Sequence, residues 1–240
     1  MSNAAVLVAP GLLKSGAVVE LDDDEVHHLH VRRVPDDAMV RVFDGEGTVA
    51  VGQVRRRGNS VVATISDARS AARPPTTILA VGAGDKDRFL PLAERATELG
   101  VTRLVPIETG RSRDVGGRIR VEQIERMRRR AREACKQCGS PWAAVVGEPI
   151  PLAALGETHG GARWLLADVG GAVAPQIGAK TPIGWIIGPE GGLTAEEIAW
   201  CSDALGATLA VLGPSMLRFD TAAIAAAAVT IDRRHTALEG

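Results

Sequence analysis

Much of what narrows the reading of this 240-residue chain is what it lacks. No apolar run approaches the roughly 20 residues of a membrane helix, so no spanning helix and no membrane partner are expected. The opening stretch, MSNAAVLVAPGLLKSG, has no basic segment followed by a long apolar one. It does not read as a secretory leader, and a cytoplasmic protein is expected. Cysteine is scarce, and an odd number, three, makes no disulfide framework. Cys135 and Cys138 form a C-x-x-C, but no second pair exists and the nearest histidine, His159, is far along the chain. Reduced thiols are expected there, and no metal site. His27, His28 and His30 also lack a well-spaced partner and read as solvated or capping residues. An excess of one charge is missing too. The formal net charge is −1, so no field over the whole surface advertises nucleic acid.

What is present is a chain 45% hydrophobic, enough for real cores in one large or two modest domains. Residues 1–70 read as a β-rich module. Val26–Arg33 is a short helical turn, Met39–Phe43 alternates as a strand does, and Asp44-Gly-Glu-Gly47 is a hairpin turn. Thr48–Arg56 and Ser60–Ile65 continue as strands around Arg57-Gly-Asn59. Short strands joined by tight turns predict a small barrel. Residues 71–76, with Pro74 and Pro75, are a linker. From 77 to 240 strands alternate with helices, which predicts an α/β domain. Its first strand, Ile78–Val81, runs into Gly82-Ala-Gly84, a weak dinucleotide-binding signal without the third glycine. An NAD- or nucleotide-binding enzyme built on that turn is one alternative.

Charge is concentrated locally. Residues 111–136 carry ten Lys or Arg against four acids. Pairs at i,i+4 spacing, Glu122 with Arg126 and Glu125 with Arg129, account for only part of this excess. The predicted helix Ile119–Cys138 puts Ile119, Ile124, Met127 and Ala131 on one face and Arg120 and Arg128–Arg130 toward water or phosphate.

The chain is organised around two strand–turn–helix units near its C-terminal end. Ile183–Ile187 is an apolar strand that empties into Gly188-Pro-Glu-Gly-Gly192. Thr194 and Glu197 form a capping box that starts the next helix. The pattern repeats with Thr208–Leu212, the turn Gly213-Pro-Ser-Met-Leu-Arg218, and a helix from about Thr221. Ahead of both, Trp164–Asp168 is a strand ending in Asp168-Val-Gly-Gly171. Glycine lets backbone approach a ligand closely, so turns in series at strand ends predict a ligand site. Ala222–Val229 is apolar on every side and built of small residues, which predicts a buried helix.

The pair G-P-E-G-G-L-T-x-x-E-I and L-G-x-x-x-L-R-x-D-T-A resembles the ribosomal RNA small-subunit methyltransferase E family, of the SPOUT class. H-H-L-H-V-R-R and V-R-V-F-D-G-E-G resemble that family's PUA-like N-terminal domain. The resemblance implies a trefoil-knotted C-terminal domain that binds S-adenosylmethionine and methylates N3 of a uridine in 16S rRNA of the small ribosomal subunit, as a homodimer. It implies cofactor contacts at Gly188, Gly191, Gly192, Leu212, Gly213 and Leu217. RNA contacts are implied at Arg32, Arg33, Lys86, Arg88, Arg111, Ser112, Arg128 and Arg129. The catalytic residues are then Arg218, to stabilise a uracil anion, and Asp220, the nearest carboxylate to take a proton. Asp220 also stands just before Thr221-Ala-Ala, where the pattern favours a helix N-cap, and Glu190 reads equally as a brace of its turn. The chain departs from the family at Cys138 and Ser140, at Asp168, at Phe219 (usually Thr) and at Asp220 (usually Glu). The changes at Ser140, Phe219 and Asp220 leave open a non-catalytic RNA-binding or ribosome-assembly protein of the same fold.

Overall fold

The computed structural model describes residues 4–58, 60–82, 84–112 and 119–239, with side chains to residue 237. Asn59, Ala83, Arg113, Asp114 and Arg118, which the sequence reading used, lie outside the described residues. The chain packs as two units: Met1–Arg73 with Arg132–Ala143, and Pro74–Ala131 with Ala144–Gly240.

The first unit holds strands β1 (Ala5–Leu7) and β2 (Val18–Glu20), helix α1 (Asp23–Val31), and strands β3 (Met39–Phe43), β4 (Thr48–Arg57) and β5 (Ser60–Ser70). They form one sheet in the order β1-β3-β4-β5-β2, with β1 parallel to β3 and the other pairings antiparallel. Alternation decides which residues face inward. Val40, Val42, Ala50, Val54, Ala63 and Ile65 are buried with Leu29 of α1. The acidic run at 22–25 has a local cause. Asp22 caps α1 by accepting from the Glu25 N–H at 2.9 Å, and Asp23, Asp24 and Glu25 occupy the first turn, where the helix dipole favours negative charge. Glu25 is itself buried and paired with Lys136 Nζ at 2.6 Å, which also reaches Glu133 at 2.6 Å. Burial pushes the Glu25 carboxyl above the usual carboxylate range, with the Lys136 bond opposing.

The second unit begins with β6 (Thr77–Gly82), α2 (Lys86–Phe89), α3 (Leu92–Glu98), β7 (Arg103–Glu108) and α4 (Val121–Cys138). The last residues of α4 belong to the first unit. Then come β8 (Val145–Val146), β9 (Ile150–Pro151), a 3-10 turn (Leu152–Ala154), α5 (Leu155–His159), β10 (Arg163–Val173), β11 (Ile183–Ile187), α6 (Ala195–Asp203), β12 (Thr208–Val211) and α7 (Phe219–Glu239). The sheet runs β12-β10-β11-β6-β7-β8, with β9 also on β7, and every pairing is parallel. A parallel strand covered on both faces must be apolar throughout. Accordingly β6 and β11 are buried at every position. Gly184 has no side chain because a Cβ there would lie 2.4 Å from the Trp164 ring on β10.

Helix α7 packs on β6, β11 and α3. Trp185 of β11 is fully buried and donates its indole N–H to Thr230 Oγ1 of α7 at 2.8 Å. Arg234 closes the far end, donating to the carbonyls of Thr76 and Thr181 at 2.7 and 2.8 Å and to Thr77 Oγ1. Burial holds its guanidinium below the usual arginine pKa.

Three expectations need correction. Helix α7 begins at Phe219, with the Ala222 N–H bonded to the Arg218 carbonyl at 2.8 Å, so Asp220 lies inside the first turn and is not the N-cap. Nor is α7 buried all round. Ala222, Ala223, Ala226, Ala227 and Thr230 face the sheet, while Thr221 and Ala228 are exposed. On α4 the arginines do not make the expected i,i+4 pairs. Arg128 instead pairs with Glu125 at 2.6 Å and Glu148 at 2.7 Å and donates to the Val146 carbonyl. The buried face of α4 is Ile124, Met127, Ala131, Ala134 and Cys135. Desolvation raises the Cys135 thiol to about 12, which leaves it inert.

Candidate active site

Three neighbouring strands, β12, β10 and β11, end on the same side of the sheet because all are parallel. A cleft outside the carboxyl ends of parallel strands is where open α/β sheets bind ligands. Here it has a volume of about 580 Å³, within the usual range for small-molecule sites. Leu166, Ile187, Leu193, Ile198, Val211 and Leu217 provide apolar wall. The backbone of Gly188–Gly192 and Leu212–Gly213 provides polar edges, and Arg88, Arg111 and Arg218 stand around it with Asp168 and Glu190.

Packing decides how each turn is held. The capping box at the start of α6 is formed as expected: Thr194 Oγ1 accepts from the Glu197 N–H, and Glu197 Oε2 accepts from the Thr194 N–H at 2.8 Å. The other oxygen of Glu197 takes the Gly110 N–H at 2.7 Å. Beside it, Arg111 Nη1 donates to the Gly191 carbonyl at 2.5 Å. On the opposite flank, Glu190 Oε1 accepts from the Asp85 N–H at 3.0 Å, so Glu190 braces its turn. That contact explains the glycines of Gly82-Ala-Gly84. A Cβ at Gly82 would lie 2.5 Å from Pro189, and one at Gly84 would lie 1.9 Å from Glu190 Oε2. Gly82 admits the backbone of the 188–192 turn and Gly84 leaves room for the Glu190 carboxylate, so the G-x-G has a packing reason.

At the second turn, Gly213 has more room than expected, since a Cβ there would meet only Leu217 Cδ1 at 3.9 Å. The close approaches lie elsewhere. Gly192 takes φ +71°, and a Cβ at Gly188 would come within 3.2 Å of Gly192 backbone. Gly171 meets Ala210 backbone at 2.5 Å by the same measure, at the bulge between Ala167 and Ala172 where β10 closes on β12. Asp168 turns its carboxylate back to accept from the Gly170 N–H at 2.7 Å.

Arg218 is exposed on the cleft wall. Asp220, half-buried, stands one helical step behind that wall. Its Oδ2 lies 3.7 Å from Arg88 Nη1, and its Oδ1 is buried without a hydrogen-bond partner among the described residues. Phe219, next to it, stacks on Phe89 with centroids 6.1 Å apart. Helix α2 therefore meets two of the residues at which this chain departs from the pattern it resembles, with an aromatic for Phe219 and a cation for Asp220.

The fold thus brings Gly188, Gly191, Gly192, Leu212, Gly213, Leu217, Arg218, Arg88 and Arg111 to one cleft. It does not bring all the others. Ser112 is buried and its hydroxyl is taken up by the Thr109 N–H and carbonyl. Lys86 is exposed on α2 and Arg129 on α4, while Arg32 and Arg33 end α1 in the first unit, Arg33 at φ 51°. Among the described residues no His, Cys, Asp or Glu cluster is arranged to hold a metal.

Comparison with known proteins adds to this geometry. Residues 72–231 match the model of an RNA methyltransferase domain, and residues 21–66 that of an RNA methyltransferase PUA domain. The ribosomal RNA small subunit methyltransferase E of Mycobacterium bovis is 30% identical over 232 residues, covering 88% of this chain and 85% of that protein. The chain belongs to the ribosomal RNA small subunit methyltransferase E family. The enzyme of that name from Aquifex aeolicus is 28% identical, over 91% of this chain and 96% of its own. A solved methyltransferase E from Neisseria gonorrhoeae, bound to S-adenosyl methionine, superposes with a TM-score of 0.80 at 26% identity, over 94% of this chain and 95% of its own. In family terms the first unit carries the PUA-like domain and the second the SPOUT-like methyltransferase domain.

Proposed function

We propose that this chain transfers the methyl group of S-adenosylmethionine to N3 of a uridine in 16S rRNA of the small ribosomal subunit. It acts as a cytoplasmic homodimer, with the first 70 residues helping to hold RNA. The observation that carries this reading is the cleft itself. An apolar floor, glycine-rich backbone edges and three guanidiniums meet at the ends of three parallel strands.

The residues present fit S-adenosylmethionine. The turn at Gly188–Gly192 comes close enough to itself that a Cβ at Gly188 would crowd it, leaving backbone exposed to a ligand. Gly188, Gly191, Gly192, Leu212 and Gly213 would hold the adenine and ribose, with Leu217 against the base. When bound, the cofactor supplies a methyl group already activated on a sulfonium, so the protein's task is to position the nucleophile. Arg218, exposed on the wall, faces charge that develops on the uracil carbonyls as N3 loses its proton. Asp220, behind that wall and beside Arg88, is the nearest carboxylate in sequence that could take that proton.

A trefoil knot is part of the reading. Strands β10 and β11 are adjacent and parallel, yet only residues 174–182 join them and no helix is described there. An ordinary parallel crossover takes roughly a dozen residues or more. The homodimer draws support from apolar residues exposed beside the cleft, Met216 at 79%, Val173 at 74% and Val169 at 55%, and from the uncovered side of α7.

The test is mass mapping of 16S rRNA from a strain deleted for this chain, with and without complementation. One uridine should lose a methyl group on deletion and regain it on complementation. An unchanged map would reject the activity.

A further inference from the structure

Arg111 and Ser112 enter the sequence reading as RNA contacts, but their side chains are engaged otherwise. Ser112 closes its own turn on Thr109. The Arg111 guanidinium lies on the Gly191 carbonyl at 2.5 Å, and its aliphatic stem covers the spot a Gly191 side chain would fill, 3.4 Å from Arg111 Cβ. One residue earlier, the Gly110 N–H is fixed to Glu197, the same carboxylate that caps α6. The 109–112 loop is thus fastened to both ends of the segment Gly191–Glu197, and Arg111 is its side-chain link to the glycine turn. The rest of that turn is held by the Gly192 N–H on the Pro189 carbonyl at 2.8 Å and, on the opposite flank, by Glu190 on the Asp85 N–H at 3.0 Å. Gly192 sits at φ +71°, and the turn's three glycines each lose more conformational freedom on ordering than a residue with a side chain would. A turn of this kind needs an outside restraint to stay in one shape.

We infer that Arg111 is a positioning residue for the cofactor turn: its bond to the Gly191 carbonyl pre-forms the Gly188–Gly192 edge of the cleft. This rests on the cofactor reading above. The bond joins a cation to a neutral carbonyl, so it needs a donor more than it needs a charge. Phosphate binding needs the charge. The two roles therefore separate by substitution. Arg111→Gln keeps an N–H donor and loses the charge, whereas Arg111→Met keeps the stem and loses both.

The test uses the full chain. In the protein without ligand, hydrogen exchange at the Gly192 amide should accelerate about tenfold in R111M, the effect of losing one charge-assisted bond at an exposed site, and less in R111Q. Calorimetric affinity for S-adenosylmethionine should fall in the same order and by a similar factor. The slope of log RNA affinity against log salt, measured without cofactor, should stay at the wild-type value in both variants. Unchanged exchange and cofactor affinity, with a salt slope lower by about one in both variants, would overturn the inference and make Arg111 a phosphate ligand. Wild-type protein that bound no S-adenosylmethionine would reject the cofactor reading. The exchange arm would still decide whether Arg111 holds the turn.

Discussion

Arg218 and Asp220 are two residues apart, yet α7 gives them opposite surroundings. Arg218 is exposed on the cleft wall, while Asp220 lies behind it with one oxygen near Arg88 and the other buried and unpartnered. From sequence, Asp220 looks like a helix cap because Thr221-Ala-Ala resembles a helix start. The true start is two residues earlier, at Phe219, whose ring packs on Phe89. A distant aromatic partner leaves no local trace in the sequence. For Arg218 the expected outcome is specific. Arg218→Lys keeps a cation but loses the planar fork, so single-turnover methylation of small subunits should fall by about 10²-fold. Calorimetric affinity for S-adenosylmethionine and the melting temperature should hold, since this exposed side chain makes no hydrogen bond or ion pair among the described residues. A parallel loss of cofactor affinity and stability would make Arg218 a brace of the 213–218 turn.

At the scale of elements, legibility followed the length of the pattern. Strands β6 and β11 and the capping box of α6 are readable because each repeats a signal within a few residues. Strands β1 and β2 have three residues each, too few to show a period. Strand β10 runs to Val173, through glycines that read as a turn, because Gly171 lets it close on Ala210 of β12. Gly82 and Gly84 serve a turn that comes 105 residues after Asp85 in the chain, so no window on the sequence reveals their purpose. Helix α4 shows how structure divides a charge cluster. Its basic face looks uniform in sequence, yet Arg128 is held by Glu125, Glu148 and a carbonyl, while Arg129 is exposed. Arg129→Glu should therefore weaken RNA binding and reduce its salt slope without moving the melting temperature. Arg128→Glu should lower the melting temperature, because it sets a carboxylate against two others. A slope unchanged in R129E would make this side of α4 an ordinary solvated surface.

At the scale of the whole molecule, the sequence contains no contrast that marks which side of α7 meets what. Over 222–229 its residues are mostly small, and only the fold shows that Ala222, Ala223, Ala226 and Ala227 are buried while Thr221 and Ala228 are exposed. A helix with one small-residue face against its own sheet and another left uncovered is suited to close approach by a second copy. In a two-fold dimer each interface residue occurs twice, so one substitution changes two places at once. Ala228→Glu puts a carboxylate on that uncovered face from each subunit. If α7 forms the dimer interface, equilibrium sedimentation should show the mass halved. The far-UV spectrum should hold, because Ala228 is exposed in the single chain and its replacement leaves the core intact. Methyl transfer should be lost along with the dimer if both subunits complete the cleft whose exposed Met216 and Val173 stand beside it. A variant that kept the wild-type mass would move the interface away from this face of α7. A monomeric variant that still methylated at the normal rate would mean that each cleft is complete within one chain.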